Sequence, residues 1–284
     1  CRKNRKNMKN KVVLLLFIVC CAWTATAQTV ADSLALVAAH WQVTSLKKGV
    51  LCRKAFFNSL YGVPQEVSIL EITPKYYNLD VLIHQPKEET SVAAHRSGAI
   101  AAVNGSYFNM KAGNSVCYLR KNGVVVDTTA NGALGTVSNG AVFIKKGRMK
   151  LLPWSKQEEK ACRLKHGTVL VSGPLMLMNG KECDISACNQ SFVNTKHPRS
   201  AIVLTKDKKI LFVVVDGRMK GKAEGVNIPE LTHMIRVLGG KDALNLDGGG
   251  SSTLWSGEYS NTGIINTPSG GVERRVANSI CVYE

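Results

Sequence analysis

Three consecutive glycines follow a carboxylate in the stretch NLDGGGSST, Asn245 to Thr253. Glycine loses more backbone freedom on folding than any other residue, so a triplet belongs neither inside a helix nor inside a strand. It marks a loop that something must approach closely. The preceding ALNL reads as a short strand. Alternation along it puts Asn245 and Asp247 on one side and Leu244 and Leu246 on the other. Gly248, Gly249 and Gly250 are expected to turn several backbone N–H groups inward as a nest for an anion, with Ser251, Ser252 and Thr253 adding hydroxyls. The plainer reading is a tight turn that needs a positive φ, for which one glycine is usually enough.

Around this loop the chain reads as strands with few helices. EVSILEI and LDVLIH are two strands joined through TPKYYN, a hairpin or a corner. TSVAAHRSG predicts a short helix stopped by Gly98 and feeding the strand AIAAV. SAIVLT and ILFVVVD are β-branched runs joined by the polar turn KDKK. In NIPELTHMIRVLGG, Asn227 is a good N-cap with Glu230 three positions on, Ile228, Leu231, Ile235 and Leu238 recur at helical spacing, and Gly239 supplies the stop. RVANSICV is the closing strand. The fold class is therefore α+β: one domain from about Ser45 to Glu284 on mixed or antiparallel sheet, with strand-end loops forming the pocket. The helix candidate ADSLALVAAHW lies in a leading arm, residues 28–44, placed outside that domain.

From Met8 the chain has basic residues, an apolar run Val12–Cys21 and an A-x-A pattern ending at Ala27, the layout of a secretory signal peptide. Residues 1–27 are thus expected to be removed on export to the periplasm or the extracellular space. The apolar run is short for a stable membrane anchor. The whole chain of 284 residues carries +17, and residues 1–27 hold six Lys/Arg and no acid, which leaves +11. A basic surface favours anionic partners, but no long basic run with interleaved aromatics follows the leader, so nucleic acid is not indicated. Six cysteines remain, an even number that invites disulfides in an exported protein, with Cys183 and Cys188 the first pair to expect.

Other strand ends repeat the design of the glycine loop. In VVVDGR, Asp216 leaves an apolar run, Gly217 permits a sharp turn and Arg218 supplies a cation. NGSYFN offers Asn104, Gly105 and the ring of Tyr107, suited to lining a sugar site. Arg199 stands at the entry of one strand, and Arg274 with Arg275 near the last. Taken singly, such residues are usually turn chemistry or solvated charge; several together are less easily dismissed. There is no Walker loop, no G-x-G-x-x-G and no G-x-S-x-G. Five of the six histidines, His84, His95, His166, His197 and His233, show no metal-ligand spacing, and His197 is noted only because it adjoins Pro198-Arg199. Asp216 and Asp247 are too few carboxylates to assert a shared hard cation such as calcium, and no cofactor is expected.

AAVNGSYFN, RSAIVLT with ILFVVVDGR, EGVNIPEL, ALNLDGGGSSTL and ERRVANSICV occur in an order and spacing that resemble the phosphodiester glycosidase family, across about residues 45–284, with Ser200 where threonine is usual. The resemblance implies a hydrolase that cleaves an N-acetylglucosamine-like sugar from a phosphorylated glycan or cell-envelope polymer at the anomeric carbon–oxygen bond. A departing phosphate is a weak base, so holding its negative charge matters more than protonating it. Arginine's planar fork suits phosphate oxygens, which makes Arg199, Arg218 and Arg274 the candidates. Asp247 is the first choice for the catalytic carboxylate, Asp216 the second and Glu224 a weaker third, with Glu230 left as a helix cap. Asn104 and Asn245 would orient the substrate. Two rival readings are a non-catalytic carbohydrate-binding protein and a phosphodiesterase that breaks the phosphorus–oxygen bond.

Overall fold

The computed structural model describes residues 30–132 and 136–284; the leader expected at residues 1–27 lies outside them. Its central feature is an eight-stranded sheet. The spatial order is Gln42–Lys47, Val50–Leu60, Val63–Ile72, Ile210–Val215, Arg199–Thr205, Gly240–Asn245, Leu175–Met178 and Lys181–Glu182. A four-stranded sheet (Leu254–Ser256, Ala101–Asn104, Val276–Tyr283, Asn78–Glu88) and a five-stranded sheet (Val124–Asp127, Leu119–Lys121, Thr168–Ser172, Gly140–Lys145, Arg148–Pro153) complete the β structure. All pairings between these strands are antiparallel.

The central strands are buried on both faces, which is why ILFVVV reads as an unbroken apolar run rather than as an alternation. Leu211, Val213 and Val215 enter one core cluster, while Ile210, Phe212 and Val214 enter a second on the opposite face. The first cluster is closed by the helix Ile228–Val237, which contributes Ile228, Leu231, Met234 and Ile235. The second takes Val81, Ala101, Val103, Ile280 and Val282 from the four-stranded sheet. Each such Val, Leu, Ile, Met or Phe side chain removed from water contributes about 1.5–3 kcal/mol. The helix begins with a full capping box: Asn227 Oδ1 accepts from Glu230 N, and Glu230 Oε2 accepts from Asn227 N. Glu230 also pairs with Lys196 at 2.6 Å, which leaves it as the structural cap expected.

The link after Val63–Ile72 is a corner, not a hairpin: a 3-10 turn at Pro74–Tyr76 carries the chain into the four-stranded sheet. The leading arm is not detached. The helix at residues 30–37 buries Leu36 in the first core cluster. Asp32 accepts from the Tyr61 amide, and Ser33 Oγ lies 2.9 Å from His233 Nε2. The six cysteines of the described chain are free thiols. The Cys183–Cys188 pairing fails because the two side chains lie on opposite sides of the central sheet, Cys183 packing against the second core cluster and Cys188 within the first.

Candidate active site

Antiparallel register brings the motif-bearing ends to one edge of the central sheet. Arg199 pairs with Val215, and Ala201 with Asn245, so Pro198, Asp216 and Asp247 all emerge at the same margin. In the four-stranded sheet Asn104 pairs with Ser279, which brings the tip of Ala101–Asn104 beside the start of Val276–Tyr283. Asn104 then joins the two sheets. Its Nδ2 donates to the Asp247 carbonyl at 2.6 Å, while its Oδ1 accepts from Ser200 Oγ at 2.7 Å and from Thr253 N at 3.1 Å. Both ends of the glycine loop hang from this one buried amide.

The loop itself is a 3-10 turn at Gly249–Ser251, with Gly249 at φ +62°. A Cβ on Gly249 would lie 2.9 Å from Arg218 Nη2, and one on Gly250 would lie 2.4 Å from Arg274 Nη2. A Cβ on Gly248 would stand 2.6 Å from the Pro198 carbonyl. The bare backbone is thus required by two guanidinium groups resting on it and by a neighbouring chain segment beneath it. Four amides of the loop are already engaged within the protein. Gly248 N donates to Asp247 Oδ1, Gly249 N to the Pro198 carbonyl, Ser251 N to Gly248 O and Ser252 N to Gly249 O. The formal positive charge at the loop comes from Arg218 and Arg274.

Asp247 is half-buried at the foot of this loop. Burial pushes its carboxyl up to about 6 against the opposing pull of Ser251, Arg274 and the Gly248 amide. Arg274 Nη1 lies 3.5 Å from Ser251 Oγ. Asp247, Ser251 and Arg274 therefore form a connected set, with Arg218 on the adjoining glycine. At the other side of the same edge Asp216 is 1% exposed and differently occupied. Its Oδ1 accepts from Asn266 Nδ2 and its Oδ2 from Thr267 N, each at 2.9 Å. Burial raises it to about 7.

A family model described as phosphodiester glycosidase matches residues 97–283. This chain belongs to the phosphodiester glycosidase family. Among the relatives, it is 27% identical over 236 residues to the SPbeta prophage-derived uncharacterized protein YomE of Bacillus subtilis, covering 81% of this chain and 34% of that protein. It is 26% identical over 217 residues to the N-acetylglucosamine-1-phosphodiester alpha-N-acetylglucosaminidase of Mus musculus, covering 69% of this chain and 39% of that protein. The chain thus spans less than two-fifths of the length of these relatives. The fold matches the catalytic domain of the zebrafish N-acetylglucosamine-1-phosphodiester alpha-N-acetylglucosaminidase with TM-score 0.66 at 18% identity, covering 86% of this chain and 88% of that one. A hypothetical protein from Synechocystis matches with TM-score 0.60 at 16% identity, covering 86% and 64%.

The phosphodiester glycosidase fold divides the residues expected at the site into two groups. Asp247, Gly248, Gly249, Gly250, Ser251, Arg218 and Arg274 come together at the loop. The others stand behind it. Arg199 is 1% exposed; its Nε donates to the Val226 carbonyl and its Nη2 to those of Phe192 and Thr195, and it stacks on the Phe192 ring at 4.5 Å. Burial lowers it to about 10. It is a brace for the segment before its own strand rather than an open fork for phosphate. Tyr107 is no sugar platform: it is buried and donates its hydroxyl to the Gly173 carbonyl. Asn245 Nδ2 donates to Tyr107 Oη, Gly173 O and Leu246 O, so this pair forms the floor. Gly105 accepts from Asp247 N, and Ser252 is buried under the turn with its carbonyl held by Asn266. Glu224 closes a turn by accepting from Gly221 N.

Two contributors had no clear signal in the sequence. Asn278 Oδ1 accepts from Ser106 N and fills the space a Cβ on Gly105 would need, 1.9 Å away. Glu273 accepts from Ser91 N and Ser91 Oγ. Burial raises its carboxyl above the ordinary value. Its place directly before Arg274 was the available hint. His197 sits at the same edge, lowered first by burial and then by Arg199 and Arg218. Among the described residues no group of three or more His, Cys, Asp or Glu is arranged to hold a metal ion.

Proposed function

We propose that this chain is an exported hydrolase that removes an N-acetylglucosamine-like sugar from a sugar-1-phosphodiester in a glycan or cell-envelope polymer. The observation that carries the reading is the pair of guanidinium groups, Arg218 and Arg274, resting on a side-chain-free loop beside a half-buried Asp247. The family supports phosphodiester glycosidase chemistry, and the sugar is taken from the activity that names the Mus musculus relative. Export is supported by the Met8–Ala27 pattern in the sequence, and no helix among the described residues is long and apolar enough to cross a membrane.

In this reading the phosphate lies against Arg218 and Arg274, with the anomeric carbon toward Asp247. The anomeric carbon–oxygen bond breaks and its electron pair leaves with the phosphate, where fixed guanidinium groups take up the charge. Asp247 supplies the carboxylate that meets the positive charge developing on the sugar ring. Water gives its hydroxyl to the anomeric carbon, and the products are a reducing sugar, a phosphate monoester and a proton. Asp216, with both oxygens engaged, holds the loop at 266–267.

Hydrolysis of N-acetylglucosamine-1-phosphate methyl diester in heavy-oxygen water tests this directly. Label in the released sugar is the expected result. Label in the phosphate identifies phosphorus–oxygen cleavage and overturns the reading. Ligand retention without turnover across a panel of sugar-1-phosphodiesters identifies a binding protein instead.

A further inference from the structure

The opposite margin of the central sheet carries a different chemistry. Leu204 pairs with Ile210, Ile210 with Ile72, and Ile72 with Val50. The turns at this end therefore lie a whole strand, Arg199–Thr205, away from the Asp247 loop, roughly 20 Å at about 3.4 Å per residue. Three turns gather on the corner at Pro74–Tyr76. Thr73 N donates to the Gly49 carbonyl at 2.8 Å, and Tyr77 Oη to that of Lys48 at 2.6 Å. Arg148 Nη1 donates to the Pro74 carbonyl, and Leu79 N to that of Gly147 at 3.0 Å. Lys209 Nζ donates to Thr73 Oγ1 at 2.9 Å. Residues 46–49, 73–77, 145–148 and 205–209 thus form one surface, and they hold nine Lys or Arg against a single acid, Asp207.

Most of this charge is unopposed. Among the described residues only two of the nine form ion pairs, Lys47 with Glu258 and Glu284, and Lys209 with Glu71. Lys48 and Lys75 each set Nζ 4.8 Å from the centre of the exposed Tyr76 ring. Lys75 foremost, with Lys48 and Lys209 behind it, lowers the Tyr76 phenol below its ordinary value. Like charges crowded in this way repel one another until an anion covers them. Their spread over four turns suits an extended polyanion, since one small anion cannot reach them all. Of the exposed large apolar side chains, Tyr76 alone belongs to these turns, which leaves no apolar wedge to enter a bilayer. We propose that this end of the molecule is an anchoring surface for a linear, phosphate-rich polymer, held through Lys48, Lys75, Lys146, Arg148 and Lys208 around Tyr76. The surface is separate from the Asp247 loop and stands whether or not that loop hydrolyses a diester.

The test measures binding of long-chain inorganic polyphosphate at several salt concentrations. One variant combines Lys48→Gln, Lys75→Gln, Lys146→Gln and Lys208→Gln. A control of equal charge change combines Lys111→Gln, Lys160→Gln, Lys165→Gln and Lys181→Gln, and all eight side chains are exposed. The first variant is expected to bind about 30-fold more weakly at low salt, with a log–log salt slope shallower by about 3; the control should change affinity by less than about 3-fold. The pair Lys48→Gln with Lys75→Gln should give about half of that slope change, which keeps the test decisive should the fourfold variant misfold. Equal weakening by both fourfold variants would trace binding to overall charge and overturn the surface. So would absence of polyphosphate binding by the unaltered protein, or binding confined to phosphatidylglycerol vesicles. Hydrolysis of N-acetylglucosamine-1-phosphate methyl diester should be unchanged in the first variant, so failure of this surface and failure of the Asp247 reading are told apart.

Discussion

Strands Ile210–Val215 and Gly240–Asn245 both lead into an Asp-Gly pair, yet the two aspartates reach different states. Asp216 is sealed, with one oxygen on Asn266 Nδ2 and the other on Thr267 N. Asp247 is half-open, tied to its own loop through Gly248 N and flanked by Ser251 and Arg274. Burial raises both acids, to about 7 and about 6. A perturbed carboxyl alone therefore does not distinguish a catalyst from a strut; access and the neighbouring cations do.

Substituting each aspartate by asparagine should separate the two most sharply. Asp247→Asn is expected to lower turnover by about 10³-fold or more while the protein stays folded. Asp216→Asn should act mainly on stability, because an amide donor would face the Thr267 N–H. Turnover lost in Asp216→Asn at an unchanged melting temperature would reverse the assignment.

Glycines on the two sides of the loop give the next contrast. Gly105→Ala drives a Cβ into Asn278 Oδ1, 1.9 Å away, and to 2.9 Å from the Asn278 carbonyl. It should cost roughly 2–4 kcal/mol in denaturant unfolding. Gly250→Ala meets the end of the flexible Arg274 side chain. Its cost in stability should stay within about 1 kcal/mol, with the loss appearing in turnover instead. Equal destabilisation by both would mean that the Arg274 contact is part of the packing, not of the site.

Arg274→Gln should lower kcat/KM by about 10–100-fold, the loss of a charged hydrogen-bonding fork. It carries a second signature. Arg274 lowers the Asp247 carboxyl, so removing it should move the acidic limb of the pH–rate profile from near pH 6 to higher pH. An unmoved limb would detach Arg274 from Asp247.

The last contrast is thermodynamic. The folded pKa of Asp216 lies above its unfolded value, so the folded state holds the proton more tightly. The associated stability is complete below about pH 4 and is lost as pH rises through about 7. Between those limits the unaltered protein should lose stability relative to Asp216→Asn, as read from urea midpoints at several pH values. A flat difference would show that Asp216 is ionised throughout.

Much of the architecture was legible locally. The Asn227–Glu230 capping box, the hairpin through KDKK, the Gly98 and Gly239 stops and the opposed faces of Leu244 and Asn245 each depend on residues within a few positions of one another. The roles of Arg199 and Tyr107 were not legible, because their type suits an open site and only distant partners, the carbonyls of Phe192, Thr195, Val226 and Gly173, enclose them. The Cys183–Cys188 pairing looked plausible by spacing and failed on sheet sidedness. Asn278 and Glu273 act across more than 170 residues, on Ser106 and Ser91.

By itself the sequence determined that the chain leaves its strand before Asp247 and enters a loop without side chains, since three adjacent glycines are entropically costly inside a helix or a strand. What occupies that space was decided by tertiary structure alone. The guanidinium groups of Arg218 and Arg274 arrive from separate chain segments. Antiparallel register sets which strand ends share an edge, and long-range pairing of that kind leaves no trace in the residues nearby.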